Sequence, residues 1–272
     1  MKKPFFETRV PGALMLVPLA PVLAFQAWRT VRRTPRLAPA AGDEHGFLPG
    51  AAGPVFRVVV IGESTAAGVG ASLHARALPG FLAETLRKRL RRSVAWSVTG
   101  ESGATARRVA TALVPAAVVP AVPGTEPVDR ASADLVVVTV GINDLIRRRS
   151  LRSWTADITD LVDVLQTRFT DATLVLAGMP PVHRFPTLPR PLRHVLGARA
   201  RTMDRIMADT ARTGGALHVP VDEVMARDRR LFASDGFHPS PDGYRAWAEG
   251  LADAAAPAAP APGGELTASQ GE

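Results

Sequence analysis

The segment Val55-Phe56-Arg57-Val58-Val59-Val60-Ile61-Gly62-Glu63-Ser64-Thr65 sets the architecture of everything around it. Residues 55–61 form an almost continuous apolar run, the composition of a strand covered on both faces. Ser64 stands just past its end, followed by the small residues Thr65, Ala66, Ala67 and Gly68. A turn there projects the hydroxyl from the sheet edge, and small neighbours let a substrate carbonyl approach it. A serine is a weak nucleophile at its free pKa and requires an adjacent base. Taken alone, Ser64 reads equally well as a helix N-cap after a strand.

Similar apolar runs recur at 94–99, 135–140, 173–177 and 216–219. Between them, 78–91, about 104–113, 154–169, 192–213 and 241–252 carry helical periodicity. Alternating strands and helices imply right-handed crossovers and an α/β doubly wound, three-layer sandwich around a five-stranded, mostly parallel sheet. In such sheets functional groups collect beyond the carboxyl ends of the strands. Ser64, Gly103, Asn143 and the Pro180-Pro181 turn all fall there.

A base for Ser64 must come from six histidines, at 45, 74, 183, 194, 218 and 238. Only His238 has an acid three residues earlier, Asp235, in a loop bounded by Gly236, Pro239 and Pro241. The Asp235 carboxylate can curl back to one ring nitrogen and leave the other to face Ser64. An isolated Asp-x-x-His is more often a surface turn. Ser102-Gly103-Ala104-Thr105 and Gly141-Ile142-Asn143-Asp144 supply candidate donors for a developing oxyanion: the Gly103 and Ser64 N–H groups and the Asn143 amide. The plain alternative for the second of these is a strand-ending turn.

In order and spacing, Gly62-Glu63-Ser64, Gly103 within Ser-Gly-Ala-Thr, Gly141-Ile142-Asn143-Asp144 and Asp235-Gly236-Phe237-His238 resemble the four blocks of the SGNH/GDSL hydrolase family, over roughly residues 55 to 254. The resemblance implies a flavodoxin-like α/β/α fold, no metal and no cofactor, and esters as substrates, from lipids to acylated sugars. It implies Ser64 as nucleophile and oxyanion donor, Gly103 and Asn143 as further donors, His238 as base and Asp235 as its orienting acid. Glu63 stands where the family has Asp, so the chemistry is expected to survive with altered local hydrogen bonding.

The 272 residues carry a net charge of +8, and their basic residues are nearly all Arg. That bias fits a GC-rich coding preference. The runs at 87–92 and 147–149 read as solvated faces, and nucleic acid is not an expected partner for lack of any recognition motif. The absence of cysteine excludes disulfides and thiolate chemistry. Residues 10–28 are apolar and uncharged between Lys2, Lys3, Arg9 and a downstream Arg cluster. Residues 1–36 are therefore expected to be a membrane anchor, with a signal peptide cleaved near Val22-Leu23-Ala24 (and a secreted protein) as the rival. A Pro/Ala/Gly-rich linker is expected over 37–54, the hydrolase domain over 55–254 and a disordered tail over 255–272. The expectation as a whole is a monomeric serine esterase or lipase acting through an acyl-enzyme on a small-molecule or lipid ester. An O-acyltransferase using the same site and a non-catalytic membrane-tethered binding module are the alternatives.

Overall fold

The computed structural model describes residues 18–122, 133–223 and 227–255. The sheet holds six strands, β1 (His45–Leu48), β2 (Ala51–Gly62), β3 (Arg92–Gly100), β4 (Leu135–Thr139), β5 (Thr173–Ala177) and β6 (Leu217–Val219). Their order across the sheet is β1-β3-β2-β4-β5-β6, with only β1 antiparallel, paired to β3. The five parallel strands follow the flavodoxin-like sequence second-first-third-fourth-fifth. They are the five apolar runs read from the sequence.

The helices are α1 (Ala20–Arg33), α2 (Leu78–Leu90), α3 (Ala106–Arg108), α4 (Val114–Ala116), α5 (Ile142–Ile146), α6 (Leu151–Arg168), α7 (Leu192–Thr213) and α8 (Pro241–Ala255). A π turn over Val109–Leu113 joins α3 to α4. Successive strand side chains point to opposite faces, so each apolar run feeds two cores. Val59, Ile61, Val136, Val138 and Leu176 meet α6 and α7 through Trp154, Ile158, Leu161 and Met203. Val58, Val60, Val137 and Val175 meet α2 and α8 through Phe81, Leu82, Tyr244 and Leu251.

Several expectations are revised. Part of the stretch expected as a linker, 37–54, is sheet: β1 zips His45–Leu48 onto Val94–Ser97, and β2 already begins at Ala51. Gly141–Asp144 opens the short helix α5 instead of forming a bare turn. The arginine runs are only partly solvated faces. Arg149 pairs with the buried Asp157 at 2.6 and 2.9 Å, and Arg92 Nε donates to the Pro54 carbonyl at 2.8 Å. Within the segment expected as an anchor, residues 20–33 form α1, and residues 1–17 lie outside the described residues, as does the tail beyond Ala255. No helix among the described residues is long and apolar enough to cross a membrane.

Candidate active site

Ser64 follows β2, and the loops after β3 and β4 rise on either side of it, at the point where the strand order reverses. This crevice is where open α/β sheets bind their ligands. The Ser64 hydroxyl oxygen lies 2.9 Å from His238 Nε2, and His238 Nδ1 lies 2.6 Å from Asp235 Oδ2. The other oxygen of Asp235 accepts the backbone N–H groups of Phe237 (2.9 Å) and His238 (3.0 Å). Burial pushes the Asp235 carboxyl up, but these hydrogen bonds from the ring and the backbone outweigh it and hold the group below the usual carboxylate range. An ionised Asp235 facing Nδ1 keeps the proton on that nitrogen, so the Nε2 lone pair faces the serine.

The two loops, 174 residues apart in sequence, are fastened to each other. The hydroxyl of Tyr244, the only tyrosine in the chain, donates to the Val69 carbonyl at 2.7 Å, and the Val69 N–H returns to Ser64 O at 3.0 Å. Burial pushes the Tyr244 hydroxyl well above the ordinary phenol range, so it remains a donor. Gly70 sits at φ +103, and a Cβ there would lie 2.2 Å from the Pro239 carbonyl oxygen. The Ser64 loop can therefore touch the His238 loop only with glycine at this position.

The candidate oxyanion donors expected from the sequence lie on the two middle stations. Gly103 adopts φ +88, the left-handed region that glycine enters freely, and Arg147 Nη2 holds its carbonyl at 2.9 Å. Among the described residues, neither the Gly103 N–H nor the Ser64 N–H has a partner within the protein. Asn143 is different. Its amide nitrogen donates to Glu63 Oε2 at 2.7 Å and to the Ala104 carbonyl at 2.9 Å, which engages both hydrogens. Glu63 also accepts the N–H groups of Ile142 (3.3 Å) and Asn143 (3.2 Å), closing the N-terminus of α5. Burial pushes Glu63 up to about 7, against the pull of those same donors. Asp144, fully buried, accepts the Ala106 N–H at 3.0 Å and so ties the Gly103 loop to α5. Burial raises its carboxyl to about 6, and its second oxygen has no partner.

All five residues singled out from the sequence (Ser64, Gly103, Asn143, Asp235 and His238) therefore meet at one place. Sequence reasoning missed the Glu63–Asn143 clasp, the Asp144 tie and Tyr244. The singular tyrosine, placed six residues after His238, was the one signal that could have drawn notice. His183, His194 and His218 lie elsewhere, with His218 Nε2 2.9 Å from Asp204 Oδ1. Among the described residues no group of three or more His, Asp or Glu side chains is placed to hold a metal ion.

Two spaces converge on Ser64 and His238. A small cleft of about 80 Å³ is walled by Pro180, Pro181, Phe185, Phe237 and Trp247. A groove of about 1220 Å³ starts at Ser64, Gly103 and Asn143 and runs between α1 and α7 past Leu188, Leu192 and Leu196. The groove exceeds the usual range of small-ligand pockets, roughly 300–1,000 Å³.

A flavodoxin-like sheet with a serine, a histidine and a carboxylate in line at its switch point defines a class, the α/β/α hydrolases with a serine after the first parallel strand. Comparison with known proteins narrows this. The GDSL-like lipase/acylhydrolase family matches residues 60–246, and the chain belongs to that family and is a carboxylic ester hydrolase. Solved structures share the fold. An α/β hydrolase, LAE5, from the metagenome of Lake Arreo, Spain, superposes with a TM-score of 0.54 at 19% identity, covering 73% of this chain and 94% of its own. TesA gives 0.54 at 17% identity, covering 74% and 98%. A putative lipolytic protein of the G-D-S-L family from Desulfitobacterium hafniense gives 0.53 at 17%, covering 72% and 97%. No curated protein sequence matches the chain.

Proposed function

We propose that the chain cleaves carboxylic esters of amphiphilic lipids through a Ser64 acyl-enzyme. Ser64 Oγ attacks the ester carbonyl carbon while His238 Nε2 takes the hydroxyl proton. Asp235 holds the tautomer and steadies the imidazolium that forms. The carbonyl oxygen gains negative charge against the N–H groups of Ser64 and Gly103, the two donors left open. The Asn143 amide joins as a third donor by parting from Glu63. Collapse of the tetrahedral species breaks the ester C–O bond, and His238 returns its proton to the departing alcohol. Water, deprotonated by the same imidazole, then attacks the acyl carbon and releases the acid. The observation that carries this mechanism is the unbroken line from Asp235 through His238 to Ser64, at 2.6 and 2.9 Å. The long groove lined by leucines supports an extended acyl chain.

The test is hydrolysis of p-nitrophenyl esters of increasing chain length by the full chain, with Ser64→Ala and His238→Ala beside it. The parent should turn over and prefer longer chains, and each variant should lose at least ~10³-fold in kcat. Activity that survives in Ser64→Ala refutes the serine mechanism. A parent that accepts only acetyl esters refutes the lipid assignment.

A further inference from the structure

The helix α1 has three distinct sides. On the inner side Leu23 and Ala27 pack onto the core layer of α6 and α7. Between them Gln26 clasps the start of α7: its Nε2 donates to the Arg190 carbonyl at 2.7 Å, and its Oε1 accepts the Leu192 N–H at 3.1 Å. One flank, formed by Ala20, Ala24 and Val31 with Leu23, Ala27 and Thr30 at its edge, lines the groove that leads to Ser64. Ala20, Ala24 and Ala27 keep part of this wall free of bulky side chains.

The outer side is apolar and basic together. Val22, Phe25 and Trp28 on this side are 45–56% exposed, and with Val31 on the groove flank they are four of the eight large apolar side chains exposed among the described residues. The Phe25 and Trp28 rings stack at 5.8 Å, and the Arg32 guanidinium lies 4.6 Å over Trp28. Arg29, Arg32, Arg33 and Arg36 occur between Ala20 and Arg36 without one acidic residue. In water such a surface is unfavourable, whereas at an anionic lipid surface both its aromatic and its cationic parts are satisfied. Trp28 is a one-turn neighbour of both Ala24 and Val31 on the helix surface, so the ridge borders the groove wall. Arg36, Arg148 and Arg199 also line the groove, fitting an anionic head group. With 14 residues, α1 is too short to span a bilayer and has the composition of a helix that lies in its surface.

We infer that α1 is an interfacial wall of the active site. Its Phe25/Trp28 ridge and arginines seat the enzyme on an anionic lipid bilayer, and its alanine flank guides the acyl chain of an anionic lipid ester from that surface to Ser64. This assignment rests on Ser64 being the nucleophile for a lipid ester.

The experiment uses the full chain and vesicles of phosphatidylcholine with and without phosphatidylglycerol, read by co-sedimentation. The same proteins are assayed on a soluble short-chain p-nitrophenyl ester. The parent should bind the anionic vesicles preferentially. The double variant Phe25→Ser/Trp28→Ser should bind them at least ~10-fold more weakly, because both replaced side chains are apolar contacts with the acyl region. Arg29→Gln/Arg32→Gln/Arg33→Gln should lose most of the preference for phosphatidylglycerol, roughly fivefold per arginine. Turnover of the soluble ester should remain within about twofold for both, since these side chains point away from the core. Ala24→Trp, which fills the groove wall, should depress kcat/KM for long-chain esters at least ~10-fold relative to short ones. Equal vesicle binding by parent and double variant overturns the inference and places any membrane attachment elsewhere in the chain. So does a parent that ignores vesicles, or an unchanged chain-length profile in Ala24→Trp. If the parent shows no Ser64-dependent turnover while vesicle binding follows the predicted pattern, the hydrolase mechanism fails and the docking surface stands.

Discussion

Asp235→Asn discriminates sharply between a carboxylate that sets the chemistry and one that merely shapes a loop. One oxygen of Asp235 accepts two backbone N–H groups, at 2.9 and 3.0 Å, and the other faces His238 Nδ1 at 2.6 Å. An asparagine has two ways to occupy this site. With its oxygen toward the backbone it keeps both loop hydrogen bonds and points its NH₂ at Nδ1. That nitrogen must then accept, which moves the ring proton to Nε2, opposite the serine, where no lone pair remains to take the Ser64 proton. With the amide reversed the tautomer is right, but NH₂ faces two N–H donors. Each buried group left unpaired costs about 1–3 kcal/mol, so the reversed form lies about 4 kcal/mol higher. At 1.36 kcal/mol per tenfold, the productive form is populated at about one part in 10³. Loss of the charge that steadies the imidazolium adds to this, giving an expected fall in kcat of about 10³–10⁴, the size seen for the corresponding exchange in a serine protease. The assay is steady-state hydrolysis of a soluble p-nitrophenyl ester with a thermal melt alongside. KM should hardly move, because Asp235 is placed behind the base, away from the ester. A folded variant with kcat within tenfold of the parent refutes the reasoning.

Three further outcomes follow from named contacts. Burial raises Glu63 in the folded state to about 7 from its ordinary 4.5, so its contribution to stability is full below about pH 4.5 and is lost as pH rises through about 7. Glu63→Gln should therefore gain about 2–3 kcal/mol relative to the parent between about pH 5 and about pH 8, read from urea midpoints; parallel pH profiles would contradict it. Gly70→Ala forces a Cβ against the Pro239 carbonyl from a left-handed backbone and should part the two loops. It should cost about 2–4 kcal/mol and about 10²-fold in kcat, and a kcat equal to the parent's would show that the loops do not need each other. Trp154→Phe removes the indole N–H that donates to the Met203 carbonyl at 2.9 Å and leaves a void in a fully buried site. Chemical denaturation should show a loss of about 2–4 kcal/mol with activity per folded molecule unchanged.

The parallel strands were legible because a strand covered on both faces must be apolar at every position, as in Val58-Val59-Val60-Ile61 and Leu135-Val136-Val137-Val138. β1 was not, because an edge strand of four residues, His45–Leu48, carries no such run and sits in a Pro/Ala/Gly-rich neighbourhood. The five residues drawn to the site could be named because each ends a strand or closes a late loop. The clasp between Glu63 and Asn143 joins residues 80 apart through the Glu63 side chain and the Asn143 amide and backbone N–H, and no local pattern announces it. In α1 the apolar residues alone suggested a membrane span. Only the packed positions of Leu23, Gln26 and Ala27 show that one side of this helix belongs to the enzyme.

His238 stands three residues before α8, the last described helix, and that helix is held by Tyr244, Trp247 and Leu251 against α2 and the sheet. The proposed base is thus carried on the loop that leads into α8, while the proposed nucleophile directly follows the central strand β2. Native proteins open locally in contiguous cooperative units of differing stability. An opening of α8 would break the Tyr244–Val69 link and carry the imidazole away from the serine. On the proposed mechanism, activity therefore reports whether α8 is docked.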